Sequence, residues 1–242
     1  MKFKTVVFVF VVVVVIFLSS YDKNSKSSFR EKQFNSKIMH YTNVFPSFDT
    51  NDFKQVCGNE MVEVGDFKVN ESSHLYPVST VKVKLAEWFT DKFKNQNKQS
   101  RLSFFNESTS IISKYMFDWI KQNKQYFPQK LTDRLNSKCN YTLRISRGQW
   151  EYPSHFDGVD NFMIILSGNR NVILDHKIQK TLKPNDILYF ESCIEHHFWC
   201  EPDNNLNIVL NLIYEPSSVC AIDFSDAYKK QMTRIKTGKD II

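Results

Sequence analysis

Three residues have the types and spacing to hold a metal ion. His155 and Asp157 stand two apart in His155-Phe156-Asp157, so on a β-strand both side chains leave the same face. His196 lies further along, inside another strand-like run. Two imidazoles and one carboxylate, with coordination positions left open, make the 2-His-1-carboxylate facial triad that suits non-haem Fe(II). The open positions are what oxygen chemistry needs. His155, Asp157 and His196 are therefore the candidate metal ligands and catalytic centre. A His-x-Asp pair alone is common, so its weight depends on the surrounding elements. His197 should point to the opposite strand face, and His40, His74 and His176 show no partner at ligand spacing.

The surrounding elements read as short strands. Asn161 to Leu166 is a buried-strand run, Ser167-Gly168-Asn169 a turn, and Arg170 to Leu174 a returning strand. A strand around Ile178–Leu182, a turn at Lys183-Pro-Asn-Asp186 and a strand at Ile187–Glu191 follow. The His196 strand continues through Cys200, and the last strand runs from Leu206 to Tyr214. Short strands with turn signals at close spacing predict a jelly-roll or cupin barrel. The expected fold is mainly β with α additions: a double-stranded β-helix, a mixed α/β support before it and a short helix after it.

The segment from Gly148 to Tyr214 resembles the JmjC-type, cupin-like 2-oxoglutarate oxygenases. The resemblance is carried by Pro153-Ser-His-Phe-Asp157, Asp160-Asn-Phe162, Leu166-Ser-Gly-Asn-Arg170, Leu182 to Phe190, His196-His-Phe198 and Asn207 to Leu212. It covers about a third of the chain firmly and the preceding hundred residues loosely. It implies Fe(II) at His155, Asp157 and His196, with 2-oxoglutarate as co-substrate. Asn161, Arg170 and Asn211 fall at the family's offsets for residues that seat the co-substrate. Arg170 would grip its far carboxylate as a bidentate fork. Tyr152, where the family often has Thr, would add a hydroxyl contact. There are departures. The family's usual basic residue is Lys where Arg170 stands. Its Pro and Gly-Trp-Trp before the distal His are Glu191-Ser-Cys-Ile-Glu195 here, and its Phe-Trp after the last Asn is Leu212-Ile213. These changes alter the walls of the site rather than its ligands.

The N-terminus gives an address. Met1-Lys-Phe-Lys4 is a basic n-region, Thr5 to Leu18 is apolar and valine-rich, and Ser19 to Ser28 is polar. Residues 1–20 read as a secretory signal peptide or a short type II signal anchor. Both deliver the rest of the chain to the lumen of the endoplasmic reticulum or Golgi, because Lys2 and Lys4 favour a cytoplasmic N-terminus. An uncleaved leader would tie the protein to the membrane. Sequons at Asn70, Asn106 and Asn140 agree with that address, though Asn140 lies close enough to the barrel start for burial to close it. The five cysteines, an odd number, lack C-x-x-C spacing, and Cys193 and Cys200 flank the distal His strand as a possible disulfide pair.

The remaining organisation is a polar linker over 21–38, a mixed segment over 39–138, the barrel over 139–221 and a helix and tail over 222–242. In the mixed segment, Val78 to Leu85 alternates like a strand, Leu85 to Phe93 looks helical and Leu102 to Phe105 looks like a strand. Apolar residues recur at helical spacing from Ile111 to Gln122. The net charge of +6 is scattered, and no nucleic-acid motif accompanies it. The sequence reading is an Fe(II)- and 2-oxoglutarate-dependent hydroxylase acting on a protein side chain in the secretory lumen. The competing readings are a non-catalytic cupin-like module that binds a metal or partner, and a metal cupin with other chemistry.

Overall fold

The computed structural model describes residues 30–35, 37–69, 75–90, 98–104, 110–201 and 206–217. The first part holds β1 (Arg30–Asn35), β2 (Ile38–Thr42), α1 (Thr50–Cys57), β3 (Met61–Val69), β4 (Leu75–Lys84), β5 (Lys98–Phe104), α2 (Ile111–Asn123) and α3 (Gln129–Thr132). Eight strands follow: β6 (Cys139–Arg147), β7 (Trp150–Phe156), β8 (Asp160–Ser167), β9 (Arg170–Leu174), β10 (Ile178–Leu182), β11 (Ile187–Phe190), β12 (Glu195–Cys200) and β13 (Asn207–Tyr214).

These eight make two facing four-strand arrays, β11-β8-β13-β6 and β10-β9-β12-β7, with antiparallel pairing throughout. Successive strands alternate between the sheets except at the β9–β10 hairpin, which stays within the second array, and this is the strand order of a double-stranded β-helix. The first array is extended on both sides. β5, β3 and β4 add beyond β6, while β2 and β1 add beyond β11. Residues 30–35 and 38, read from sequence as the end of a polar linker, are thus strand residues, and β2 pairs directly with β11.

Alternation along each strand separates two cores. Tyr141, Leu143 and Ile145 of β6, with Ile208, Leu210 and Leu212 of β13, face outward. They share a cluster with Phe53 of α1 and Ile112, Met116 and Trp119 of α2. The helices start where side chains satisfy free N–H groups: Asp49 accepts from Asn51 and Asp52, and Ser110 accepts from Ser113. The opposite parity, including Met163, Ile165 and Val209, faces the second array and packs on Trp150, Val172 and Phe198. That inner layer forms the barrel interior.

Cys57, Cys139 and Cys200 are buried thiols outside any disulfide, whereas Cys193 is in a disulfide. The Cys193–Cys200 bridge considered from sequence is therefore not formed. Burial pushes the Cys57 thiol up to about 12, helped by the charges of Glu60 and Asp52. Among the described residues no helix is long and apolar enough to cross a membrane. The leader over 1–20, the sequons at Asn70 and Asn106 and the helix expected over 222–242 lie outside the described residues. Asn140 is 1% exposed within β6, so its sequon is closed in the folded chain.

Candidate metal centre

His155 sits near the end of β7, Asp157 just beyond it and His196 opposite on β12, where His196 pairs with His155 in register. Their ligand atoms all lie within 4.8 Å of one another. His155 Nε2 is 3.9 Å from one Asp157 oxygen, and His196 Nε2 is 3.5 Å from the other. The group could hold a metal ion.

The backbone prepares both imidazoles. His155 Nδ1 donates to the Pro153 carbonyl at 2.8 Å, and His196 Nδ1 donates to the Ile194 carbonyl at 2.8 Å. A carbonyl only accepts, so each Nδ1 carries the proton and each Nε2 is the metal-facing atom. The pairing register explains how the chain achieves this. His155 pairs with His196 but Tyr152 with Phe198, so β7 carries one extra residue at Pro153-Ser154. This bulge turns both Tyr152 and His155 inward although they are three apart. Proline suits the position because a bulge releases its missing N–H from the ladder.

Electrostatics favour the ligand forms. Burial lowers the His155 pKa to about 4, and the nearby His196 lowers it further than Asp157 raises it. His155 is therefore neutral at pH 7. Burial alone would raise the Asp157 pKa, but the hydrogen bond and charge of His196, with the charges of His155 and Arg144, hold it below the usual carboxylate range. Asp157 is further fixed by Asn161, whose Nδ2 donates to its Oδ2 at 3.2 Å and to the Val159 carbonyl at 3.3 Å. Its own carbonyl accepts from Cys193 N–H at 2.8 Å, which ties the first ligand loop to the turn before His196.

The other expected site residues divide. Arg170, at the start of β9, is 1% exposed and lies over the Trp150 ring at 4.7 Å, inside the barrel. Its Nε and Nη1 have no hydrogen-bond partner. Asn211 is buried, with its Oδ1 also unpartnered. Tyr152 is buried with its ring 3.9 Å from the His155 ring, so it acts as a wall of the metal site. Asn161 is buried, and its amide nitrogen donates to Asp157 and to the Val159 carbonyl, so in this structure it positions the Asp157 carboxylate.

His197 points away from the metal centre and pairs with Glu151 at 3.0 Å. His40 has a partner that spacing did not reveal: its Nε2 is 3.0 Å from the buried carboxylate of Asp186. His176 meets Glu195 on the surface. Sequence reasoning also missed Arg144, on the inner side of β6, whose guanidinium lies 5.6 Å from the Tyr152 ring centre. The signal was its parity, opposite to Leu143 and Ile145.

The chain matches no protein-family profile and no curated protein. Solved structures similar to it include cupins. A cupin 2 domain-containing protein from Halorhodospira halophila is 14% identical over 46% of this chain and 73% of its own, with a TM-score of 0.31. A cupin superfamily protein from Desulfitobacterium hafniense is 15% identical over 32% and 68%, with a TM-score of 0.29. A DMSP lyase from Ruegeria pomeroyi is 16% identical over 35% of this chain and 42% of its own, with a TM-score of 0.30. The cupin-like fold stands on the strand order.

Proposed function

We propose that the protein is an Fe(II)- and 2-oxoglutarate-dependent oxygenase that hydroxylates a protein side chain. The observation that carries this reading is the pairing of a candidate facial triad with a buried guanidinium, that of Arg170, which has no carboxylate partner and whose Nε and Nη1 make no hydrogen bond, in one barrel. An unpaired buried charge is costly and calls for a counter-charge. The far carboxylate of a chelating keto acid would supply one to Arg170.

The donor set fits the metal. Two imidazoles and a carboxylate suit Fe(II) better than an all-oxygen or all-thiolate set would. When bound there, iron with 2-oxoglutarate would supply oxygen activation, one atom going to substrate and one to succinate. The chain's own residues do the rest. Pro153 and Ile194 hold the imidazoles in the ligating tautomer. Asn161 orients the carboxylate. Asn211 offers an amide whose oxygen and nitrogen exchange by a half-turn, so it can donate to a bound carboxylate. Tyr152 and Phe190 pack on the two imidazoles and keep water from them.

We infer the address from the leader alone: a lumenal enzyme, soluble or anchored. Glycosidase treatment should shift the mobility of the expressed protein through Asn70 or Asn106, and mature mass should tell cleavage from anchoring.

The test of activity is succinate formation from 2-oxoglutarate by the full chain with Fe(II) and ascorbate. Turnover lost in Arg170→Ala and partly kept in Arg170→Lys supports the reading. Tight iron binding with no succinate, even with lumenal extract as substrate source, would favour the non-catalytic module.

A further inference from the structure

The geometry points to a two-guanidinium clamp at the deep end of the barrel, in which Arg144 from one sheet and Arg170 from the other grip the anionic tail of the metal-bound ligand. This deepens the oxygenase reading and rests on it. The clamp assigns Arg144 as a specificity-determining residue for a ligand with a chelating head and a distal carboxylate.

Depth comes from register. Arg144 pairs with Val209, which pairs with Ile165, four residues down β8 from the Asp157-bound Asn161. Across the barrel, Asn171 pairs with Trp199, which puts Arg170 at the level of Cys200, four residues down β12 from His196. Both arginines thus start at the same depth, ~13 Å of strand below the metal end. An extended arginine and a five-carbon diacid together cover that span.

The arginines share one apparatus. Arg170 lies over Trp150, Trp150 stacks on Tyr152 at 6.3 Å, and Arg144 lies over Tyr152. The planar guanidiniums are held by ring faces and leave their N–H edges for another partner. Part of each edge is unfilled: Arg144 Nε, Arg170 Nε and Arg170 Nη1 are buried without a hydrogen bond, while Cys200 bonds to the Arg170 side chain. Among the described residues no carboxylate pairs with either. Burial holds the Arg170 pKa below its ordinary value, and the charge of Arg144 lowers it further while Cys200 works the other way, so the two guanidiniums lie near enough to repel. Arg170 is buried and Arg144 half-buried, and two like charges this close are tolerable when an anion lies between them.

The test uses the full chain loaded with Fe(II) under anaerobic conditions. Binding of 2-oxoglutarate is compared with that of 2-oxopentanoate, which has the same chelating head and length but no distal carboxylate. Wild type should prefer 2-oxoglutarate by a hundredfold or more. Arg144→Met should lose about tenfold in 2-oxoglutarate affinity, with 2-oxopentanoate unchanged. Arg144→Lys should lose less. Without ligand, Arg144→Met should melt higher than wild type, because an unpaired charge has gone; a purely structural arginine would make it melt lower. Unchanged 2-oxoglutarate affinity in Arg144→Met would overturn the clamp and leave the oxygenase reading intact. If wild type binds neither keto acid, the oxygenase reading fails, and succinate and inorganic phosphate then judge the clamp. Anion binding weakened by Arg144→Met keeps it, and no anion binding overturns it.

Discussion

The two faces of the long sheet are built from the same strands and serve opposite ends. Every residue of β13 is buried, and nearly every residue of β6, so burial does not tell the faces apart. Chemistry does. The outward parity carries Tyr141, Leu143, Ile145, Leu210 and Leu212 against the helices. The inward parity carries Asn140, Arg144, Ser146, Asn207 and Asn211, each with a buried polar atom that has no partner. Unsatisfied polar groups of this kind are rare in folded proteins and costly, commonly 1–3 kcal/mol each. The outward face has such atoms too, the Tyr189 and Tyr214 hydroxyls, but the inward parity of these two strands carries more of them, and solvent or a ligand would complete them. The outward face packs the helices onto the sheet; the inward face carries the group that could hold a metal ion.

The sharpest break in that comparison is at the metal. Asp157→Ala should abolish Fe(II) binding while the circular dichroism and melting cooperativity of the chain persist, because Asp157 lies beyond the end of β7 and packs no core. Iron affinity equal to wild type in that variant would remove the triad. On the outward face the expectation reverses. Phe162 is fully buried against Tyr189 and Tyr214, so Phe162→Ala should cost about 3–5 kcal/mol of stability by urea denaturation. Its iron affinity per folded molecule should stay within about twofold, a change too small to register against 1.4 kcal/mol per decade. A large iron defect there would mean the faces are not separable.

Asn161 sits at the seam. Its amide orients the carboxylate that holds the metal, and support of this kind is typically worth 10–100-fold in metal affinity. Asn161→Ala should weaken Fe(II) binding by roughly that factor, and should do so equally with and without 2-oxoglutarate. Selective loss of 2-oxoglutarate affinity, with iron unchanged, would return Asn161 to the co-substrate.

Much of this was legible before the fold. The triad was, because His and Asp at strand spacing are chemically distinctive. So were the barrel strands, whose turns are marked by Ser167-Gly168-Asn169 and Lys183-Pro-Asn-Asp186. The interior position of Arg170 also followed from its offset. Other features depended on distant contacts. β1 is polar enough to read as linker, and only its pairing with β2, itself paired with β11, makes it a strand. The His40–Asp186 pair joins residues 146 apart. Arg144 hid for a different reason: one arginine in an alternating strand reads as solvent-facing until both faces of β6 are covered. The β7 bulge hid too, since nothing in Pro153-Ser154 announces that Tyr152 and His155 share a face.

The smallest effect concerns protons on the inward face. Burial and the neighbouring His196 bring the folded His155 down to about 4 from an ordinary 6.5. Between those values the unfolded chain binds a proton that the folded chain refuses. Stability therefore falls as pH drops through this window, by at most about 1.4 kcal/mol per unit, and levels off below it. Denaturation of the metal-free full chain from pH 7 to pH 4 should show this slope, and His155→Gln should lose it. Metal makes the same proton compete harder, because ligation requires the neutral imidazole. Fe(II)-loaded protein should accordingly lose stability more steeply with acid than the metal-free chain. An outward-face variant such as Phe162→Ala should shift the whole curve down without changing its shape, since no proton is linked to that ring. Equal pH slopes in wild type and His155→Gln would mean that the inward face does not impose the desolvation its burial implies.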